Sequence, residues 1–555
     1  MNRSKNNKGA ALIIILLISA VLTILGTVAM TISTTENKMN SKQQTSSQAL
    51  YAADGGVNHS ILNLRAQVKT ILPGNLNSVT DGSLINQYVV NNDPAGFMAA
   101  YGGFSKINNQ KATLTSVSGS LGQGNYTATI TVESDGNPSS PSTNIYVFPF
   151  KYTILSNGSG LNNSSKSIIA NGTFEVTVMR SSFARYALFT NDQRNAVGTR
   201  VWFTGNTNFK GPVHTNGRFN FANNPSGSFS GLVTSAGRDC PTCAPSSMAN
   251  YYNNGSMKTL DDNHNGTKDV PTFTAGFNRG VNPINLPTLT DADTQKKRAL
   301  GLSDADSIPA KSTGVYVETA SGNVKGGIYI KGASSITLGK DASGNEKHTI
   351  VQGSTTSTIT VNRTTNQTMV TTGSTTNTYN GILNGMIFND GGDITSFSGT
   401  VQKDSQITVA SSNNITITNN VTYEDVNSGP PVNASGKTNV LGIVSWNGNV
   451  KIGATAPNNI NVHATVMSVN GEFNVTNYNT GSPRGTATVL GGVIENTYGA
   501  FGTFSGTTPV SGYGRNFVYD QRMGEGMSPP FFPTTSSFTS QQSGLDNLPV
   551  WKGGG

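Results

Sequence analysis

The sequence has little charge and few of the residues that usually carry chemistry. Only 12% of its 555 residues are charged, and it contains two cysteines, five histidines and three tryptophans. The formal net charge of +8 forms no cluster of Lys and Arg beyond the first residues, so no nucleic-acid partner is expected. The sequence has no HExxH motif and no phosphate-binding loop. We therefore expect no enzymatic activity.

Small and polar residues are abundant instead. The 63 glycines and the many Asn, Ser and Thr residues favour turns and short strands over helices. At 555 residues, the chain is long enough for two or three domains. The composition predicts a mainly β protein in which helix is local.

One long apolar segment lies near the N-terminus. Arg3, Lys5 and Lys8 precede the segment 10–35, whose 26 residues carry no charge. About 20 helical residues cross a hydrocarbon core, and the basic flank places the N-terminus in the cytoplasm and the rest of the chain outside. A secretory signal peptide is the alternative, but its apolar core has only about 7–15 residues. The greater length of this segment favours a membrane-spanning helix.

The following residues predict that the same helix continues. Apolar residues recur at steps of three or four, as one face of a helix requires, at Leu50, Ala53, Val57, Ile61, Leu64 and Val68. Pro73-Gly74 is expected to end the helix. The prediction is a helix over 10–72 that spans the membrane with residues 10–35 and packs on a globular domain with its second half.

The N-terminal residues also resemble a known family. The basic start, Gly9 and AALIIILLISAVLTILGTVAM resemble the class III signal of type IV pilins and pseudopilins. GAALIIILL, ENKMN (36–40) and QALYAADGG (48–56) are similar to the PilX type of minor pilin. The resemblance implies that prepilin peptidase removes a leader, 1–9, between Gly9 and Ala10. It also implies that a helix contacts the inner membrane and then other pilins, through Leu12, Ile13, Ile14, Leu16, Leu17, Val21 and Leu22.

Two residues depart from the ordinary pilin pattern. The first mature residue, Ala10, is not aromatic, and the fifth, Ile14, replaces the Glu of shaft pilins. In the family, that carboxylate is thought to pair with the free N-terminal amine during subunit addition, an interaction that is stronger in lipid than in water. Pseudopilins at the tip also lack it. The resemblance therefore implies a subunit at the tip of a fibre.

The exported part begins with strand patterns. YTATITVES (126–134), NIYVFPFKYTIL (144–155) and TFEVTVM (173–179) alternate with period two, and NGSG and NNSS turns lie between them. A pilin-like α+β unit is expected over 73–185, packed on the second half of the helix.

Three related segments follow in the larger part of the chain. They are VHTNGRFNF (213–221), VSWNGNVKI (444–452) and MSVNGEFNV (467–475), and the last two start 23 residues apart. GMIFNDGGDITSF (385–397) is a less regular copy. Asn-Gly suits a turn with positive φ, and short strands at this spacing indicate stacked rungs. We predict a parallel β-helix or solenoid-like domain over 186–515, with a β-sandwich as the alternative.

Two segments do not fit these repeats. Residues 237–307 are richer in Pro, Asp and Lys and are predicted to form a loop insertion with a short helix around Asp291 to Leu300. Residues 516–555 are predicted to form an extended tail of low complexity. The stretch 498–533, which ends in PPFFP, resembles the end of a domain of unknown function that accompanies such N-termini.

Calcium is the one cofactor that the sequence suggests. Asp261, Asn263, Asn265 and Asp269 lie at alternate positions around Gly266, as oxygen ligands of a calcium loop do. Thr272 stands where a bidentate acid is expected. Asn, Asp and Gly also fill ordinary turns, so a plain turn is the alternative.

The two cysteines are close together in Cys240-Pro241-Thr242-Cys243. Outside the cytoplasm such a pair predicts a small disulfide, and without a second CxxC or a His pair zinc is not expected.

Two functions remain as hypotheses. The preferred one is a minor pilin or tip pseudopilin of a type IV pilus or type II secretion-like system. Its precursor lies in the inner membrane, and the mature protein reaches the pilus and cell surface, where it contributes to assembly and contacts a glycan or another cell-surface ligand. The alternative is a membrane-tethered β-helix enzyme that cleaves polysaccharide with Asp390 and Asp393 as paired carboxylates.

Overall fold

A computed structural model describes residues 8–142, 144–203, 207–222, 227–244, 249–253, 256–258, 271–427, 432–505 and 508–554. The chain divides into two units. The first consists of Met1–Arg180 and Ser537–Gly555, and the second of Ser181–Ser536. The first unit is therefore discontinuous in sequence, and the second is inserted into it.

The helices are α1 (Lys8–Ala66), α2 (Leu72–Leu76), α3 (Ser83–Val90), α4 (Pro94–Tyr101), α5 (Leu289–Ala299) and α6 (Gln521–Gly524). The first strands are β1 (Ser105–Asn108), β2 (Lys111–Leu121), β3 (Gly124–Ser134), β4 (Ser139–Ser142), β5 (Ile145–Ser159), β6 (Ser165–Ser182), β7 (Leu188–Asp192), β8 (Val213–Thr215), β9 (Phe219–Ala222), β10 (Ser228–Phe229), β11 (Val233–Ser235), β12 (Ala249–Asn253), β13 (Ser256–Lys258), β14 (Thr272–Phe273) and β15 (Phe277–Arg279).

The strands after α5 are β16 (Gly314–Tyr316), β17 (Thr319–Ala320), β18 (Asn323–Val324), β19 (Ile328–Lys331), β20 (Ser334–Lys340), β21 (Glu346–Gln352), β22 (Thr355–Asn362), β23 (Gln367–Thr372), β24 (Thr375–Asn380), β25 (Met386–Asp390), β26 (Ile394–Val401), β27 (Gln406–Ser411), β28 (Ile415–Tyr423) and β29 (Val440–Ser445). The last ones are β30 (Val450–Ile452), β31 (Asn461–His463), β32 (Thr465–Ser468), β33 (Phe473–Val475), β34 (Pro483–Leu490), β35 (Val493–Thr497), β36 (Gly502–Ser505), β37 (Thr508–Val518), β38 (Thr534–Ser543) and β39 (Val550–Gly554).

The long N-terminal helix and the β-rich region after it are confirmed. Helix α1 has 59 residues, and a π-helical turn, Gln67–Ile71, joins it to α2. The prediction that Pro73-Gly74 ends the helix is wrong. Pro73 lies near the start of α2, directly after the π-helical turn, and the helix continues through it to Leu76.

The second half of α1 packs on the antiparallel sheet of the first unit, against β2, β3 and β5. Its buried stripe contains Ala49, Ala52, Ala53, Val57 and Leu64 and continues to Val68 in the π-helical turn. Leu50 was predicted in this stripe but is 44% exposed. The difference arises because the closest approach to the sheet is made by the alanines, which place Leu50 at the edge of the contact.

The sheet of the first unit has the order β1-β2-β3-β5-β6-β38, and β4 and β39 pair with β5 and β6. Phe538 and Leu545, both in the predicted extended tail, are buried in the core of this unit. Trp551 of β39 pairs with Ala170 of β6 in an antiparallel ladder. The prediction of an extended tail over 516–555 is therefore corrected. Its sparse apolar residues gave no periodic signal, but they complete an existing sheet.

The second unit contains two large sheets of mostly parallel strands. One has the order β15-β11-β8-β7-β35-β32-β29-β27-β25-β19-β16, and the other includes the run β20-β26-β28-β31-β34-β37. From β25 to β29, successive strands alternate between the sheets, so β25 pairs with β27 and β26 with β28. Stacked rungs require this parallel pairing, whereas a β-sandwich would be built from antiparallel ladders.

The sequence repeat sets the register of two neighbouring rungs. Val444 pairs with Met467 and Val450 with Phe473, each 23 residues apart. The reason given for the Asn-Gly glycines is wrong, because Gly448 and Gly471 do not have positive φ. A Cβ at Gly471 would instead lie 2.4 Å from the carbonyl oxygen of Gly448. Glycine is required here because successive turns stack backbone against backbone.

The interval 237–307 is more regular than predicted. It contains the expected short helix, α5, but its strands also extend the stack. β12, β14 and β15 pair in parallel with β9, β10 and β11. These strands have only two to five residues and no alternating pattern, so the sequence did not reveal them.

Candidate functional site

The first half of α1 presents an apolar surface with no partner among the residues that the structure describes. All residues from Gly9 to Gln44 are exposed. An 18-residue window in the helical span Gly9–Leu76 has a mean hydropathy of 2.8, and none of it is buried. The predicted membrane and pilus residues are 48–63% exposed: Leu12, Ile13, Ile14, Leu16, Leu17, Val21 and Leu22. Such a surface requires lipid or other apolar helices around it.

The hydroxyl groups in this segment are satisfied within the helix. Thr23, Thr27, Thr31 and Thr35 each donate to the carbonyl oxygen four residues earlier, over 2.7–3.0 Å. Polar groups that bond internally need no water, which suits a helix surrounded by hydrocarbon. The anchor can therefore carry several threonines without losing its apolar character.

The predicted processing site lies at the start of this helix. Gly9 and Ala10 belong to the first turn of α1 and are exposed, and no atom of the described residues lies within 4 Å of a Cβ built at Gly9. Ile14, at the fifth position after the predicted cleavage, is 57% exposed. The residue that replaces the pilin Glu is thus part of the apolar surface, and cleavage after Gly9 stays a prediction.

The segment QALYAADGG has a packing role that the sequence did not reveal. A Cβ at Gly158 of β5 would lie 2.0 Å from the carbonyl oxygen of Ala49. A Cβ at Gly124 of β3 would lie 2.9 Å from the Cβ of Ala52. Small residues on both sides therefore bring the helix backbone into contact with the sheet.

The parallel register brings a row of polar residues together at one edge of the second unit. Lys331 pairs with Asp390 on the neighbouring strand. In the next two rungs Ser411 pairs with Ser445, and Ser412 and Trp446 follow them directly in the chain. Asp390 accepts hydrogen bonds from Lys331 Nζ, Ser412 Oγ and the Tyr329 hydroxyl, each over 2.7 Å. Lys296 Nζ of α5 lies 3.4 Å from Asp390 Oδ1.

These contacts keep Asp390 ionised. Burial alone would raise the pKa of Asp390, but the hydrogen bonds from Lys331, Ser412 and Tyr329 and the charge of Lys296 outweigh it and hold the pKa well below its ordinary value. A general acid needs a raised pKa to keep its proton at neutral pH. Asp390 is therefore suited to fixing the two lysines and not to donating a proton.

Asp393 belongs to a different network. Its carboxylate accepts from the backbone N–H and the side-chain amide of Asn414, over 3.2 Å. Asn414 Oδ1 accepts from the N–H of Asn449, and Asn449 Oδ1 from the N–H of Glu472, each over 3.0 Å. Asp393 thus begins a ladder in which each turn side chain bonds the backbone of the next rung. The two carboxylates of the enzyme hypothesis have separate structural roles.

Other predicted residues have different outcomes. Cys240 and Cys243 form a disulfide with their Cα atoms 5.4 Å apart. The predicted calcium ligands, Asp261, Asn263, Asn265 and Asp269, lie outside the described residues. Among the residues that the structure does describe, no group of three or more His, Cys, Asp and Glu side chains could hold a metal ion.

Glu495 is a buried acid that the sequence did not single out. It is 1% exposed, and its Oε2 accepts from the N–H groups of Phe473 and Gly499, over 2.8 and 3.0 Å. Burial raises the pKa of Glu495 to about 8, although those hydrogen bonds and the charge of Arg515 oppose the shift. The side chain is therefore protonated at neutral pH.

Two segments match known families. Residues 8–58 match the PilX N-terminal family, and residues 145–243 match the Domain of unknown function (DUF4900). No curated protein and no solved structure matches the chain. The second match does not include 498–533, where the sequence suggested the end of such a domain, and instead runs from the start of β5 to Cys243.

The first match agrees with the geometry of α1. Together, the matched region and the long apolar helix fit a PilX-like type IV pilin. They support a minor-pilin-like role in a type IV pilus, in contact with other pilus components. That family is structural and not enzymatic.

Proposed function

We propose that this protein is a minor pilin or tip pseudopilin of a type IV pilus or type II secretion-like system. One observation carries the proposal. Helix α1 is a single rod whose first half has no partner in the described part of the chain, while its second half packs on the sheet of the first unit. Such a rod can leave the membrane and enter a bundle of similar helices while the folded part stays outside.

A position at or near the tip follows from Ile14. A subunit inside the shaft pairs a carboxylate at this position with a neighbour's free amine, and an unpaired amine in an apolar bundle is costly. Ile14 supplies no carboxylate. The subunit that begins a fibre does not need one, because the others are added below it.

A subunit at the tip of a fibre displays its second unit. It contains 356 of the 555 residues, Ser181–Ser536, and is inserted between strands of the first unit. We propose that it contributes to assembly and touches a glycan or another surface ligand. Removal of 1–9 by prepilin peptidase belongs to the same proposal.

Deletion of the gene tests this function. The deletion strain should have fewer pili, or normal pili with reduced adhesion, and the wild-type chain should restore the loss. Electron microscopy counts the pili, and an attachment assay and a motility assay measure what they do. A strain that lacks this protein and has normal pili, adhesion and motility contradicts the proposal.

A further inference from the structure

An open pocket of about 400 Å³ lies in the second unit, between α5 and the turns that follow β25, β27 and β29. Its wall on the helix side includes Thr290, Asp293 and Lys296, and its wall on the turn side includes Ser412 and Asn447. A pocket of this size accommodates a ligand as large as a single sugar ring.

The walls of the pocket are fixed by the surrounding structure. A capping box between Thr288 and Asp291 holds the first turn of α5. Gln295, on the same helix, accepts from Trp446 Nε1 and donates to the carbonyl oxygen of Phe531, over 2.8 and 2.9 Å. On the opposite side, Lys331 and Ser412 each donate a hydrogen bond to Asp390. A ligand would therefore meet polar groups that need little ordering on binding.

Three of these polar groups have unused hydrogen-bonding capacity. Within the described ranges, the Thr290 hydroxyl, the Asn447 Nδ2 group and the second carboxylate oxygen of Asp293 have no protein partner, while Asn447 Oδ1 accepts from Asn470. Asn447 Nδ2 is a donor, the Asp293 oxygen is an acceptor, and the Thr290 hydroxyl can do both. A sugar hydroxyl donates one hydrogen bond and accepts others, so adjacent hydroxyls match this set.

The charges around the pocket cancel. Lys296 Nζ lies 3.2 Å from Asp293 and 3.4 Å from Asp390, and Lys331 Nζ lies 2.7 Å from Asp390. Two cations are thus balanced by two carboxylates, which favours a neutral ligand over a charged one. Leu289, 49% exposed, and Ala292 add an apolar patch for the C–H face of a ring.

We propose that this pocket binds a neutral sugar unit. The binding itself follows from the pocket, and only its use in surface contact depends on the proposed function. Sugar binding is measured on the isolated protein, whereas piliation is measured on cells, so either can fail without the other.

The test uses the full chain in a detergent without sugar groups and saturation-transfer NMR. The probes are the methyl glycosides of glucose, galactose, mannose and N-acetylglucosamine, with glucuronate and glucosamine as charged counterparts. At least one neutral glycoside should bind more tightly than both charged sugars. Thr290→Phe, which fills the pocket, and Asn447→Ala, which removes a donor, should each weaken binding about five- to tenfold.

Each variant has a matched control nearby. Thr294→Phe lies one turn further along α5 and outside the pocket. Asn470→Ala breaks the same Asn470–Asn447 hydrogen bond but does not line the pocket. Both controls should bind as the wild type does. The proposal is overturned if no neutral glycoside binds, if only a charged sugar binds, or if a control loses binding as fully as its pocket variant.

Discussion

The backbone of Gly158 on β5 lies directly against the backbone of Ala49 on α1. A Cβ at Gly158 would be 2.0 Å from the Ala49 carbonyl oxygen and 2.4 Å from the Ala53 nitrogen. Neither atom can move without shifting the whole helix, because both belong to its hydrogen-bonded backbone. The position of the helix on the sheet therefore depends on this glycine.

Replacement of Gly158 by alanine should destabilise the first unit by about 1–3 kcal/mol, as overpacking does. Thermal unfolding of the full chain, followed by circular dichroism, measures the change. Gly74→Ala is the matched control, because nothing lies within 4 Å of a Cβ there and α2 tolerates alanine. Equal melting temperatures for Gly158→Ala and the wild type would show that the close contact is unimportant.

Glu495 should make the stability of the second unit fall as pH rises. Its pKa is about 8 in the native state and near 4.5 in the unfolded chain. Between those values the native state binds more protons than the unfolded state, so unfolding becomes easier as pH increases. Glu495→Gln keeps an acceptor for the N–H groups of Phe473 and Gly499 and cannot ionise. Its stability relative to the wild type should therefore increase from pH 4.5 to pH 8.

Chemical denaturation across this pH range measures the effect, and Glu424→Gln provides a control whose difference from the wild type stays nearly constant over the same range. The hydrogen bond from Lys340 lowers the pKa of Glu424. That stabilisation is present at neutral pH and is lost in acid, so the control should be weaker than the wild type only above its unfolded pKa. A flat difference between Glu495→Gln and the wild type would contradict the buried-acid interpretation.

The stability of the second unit should depend on the side-chain oxygens of the hydrogen-bonded ladder that begins at Asp393. Asn449→Ala leaves the N–H of Glu472 without its acceptor and should cost about 1–2 kcal/mol. Asn449→Asp keeps the oxygen and should retain most of the stability. Asn470→Ala, which removes only a side-chain to side-chain bond, should cost less. The order of the three unfolding midpoints is the measurement, and a different order would exclude a ladder held by acceptors.

Gly9 should be required for maturation. Mature wild-type protein should begin at Ala10, whereas Gly9→Val should keep the basic leader and its initiator Met1. N-terminal sequencing and the mass of the purified protein decide this. Gly26→Val is a suitable control, since it also lies in α1 with open space around it. A mature wild-type chain that begins elsewhere would rule out the proposed cleavage.

Local patterns predicted the parts of the fold that depend on sequence neighbours. The uncharged segment 10–35 indicated the helix, and the 23-residue spacing between VSWNGNVKI and MSVNGEFNV became the register of Val444 with Met467. The sequence repeat has the same length as one turn of the stack. Residues at equivalent positions of the two copies therefore pair with each other in neighbouring parallel strands. The short helix predicted around Asp291 to Leu300 is α5, Leu289–Ala299.

The remaining features depend on contacts between distant residues. Trp446 donates to Gln295, 151 positions earlier, and nothing near either residue indicates the partner. Gly158 contacts Ala49, 109 positions earlier in the chain, and Asp390 receives its hydrogen bonds only when three rungs stack. Sequence reasoning paired Asp390 with Asp393 because they are neighbours in the chain, whereas folding gives each of them different partners.

Strand β39, Val550–Gly554, pairs with β6 in a sheet whose strands β1 to β6 are already complete at Ser182. A chain that stops early, or is cut within the inserted unit during export, lacks this closing strand and leaves the edge of β6 open. Completion of the first unit thus requires that synthesis has passed through the whole inserted unit and reached β39. An assembly system that selects only closed domains would exclude every truncated subunit.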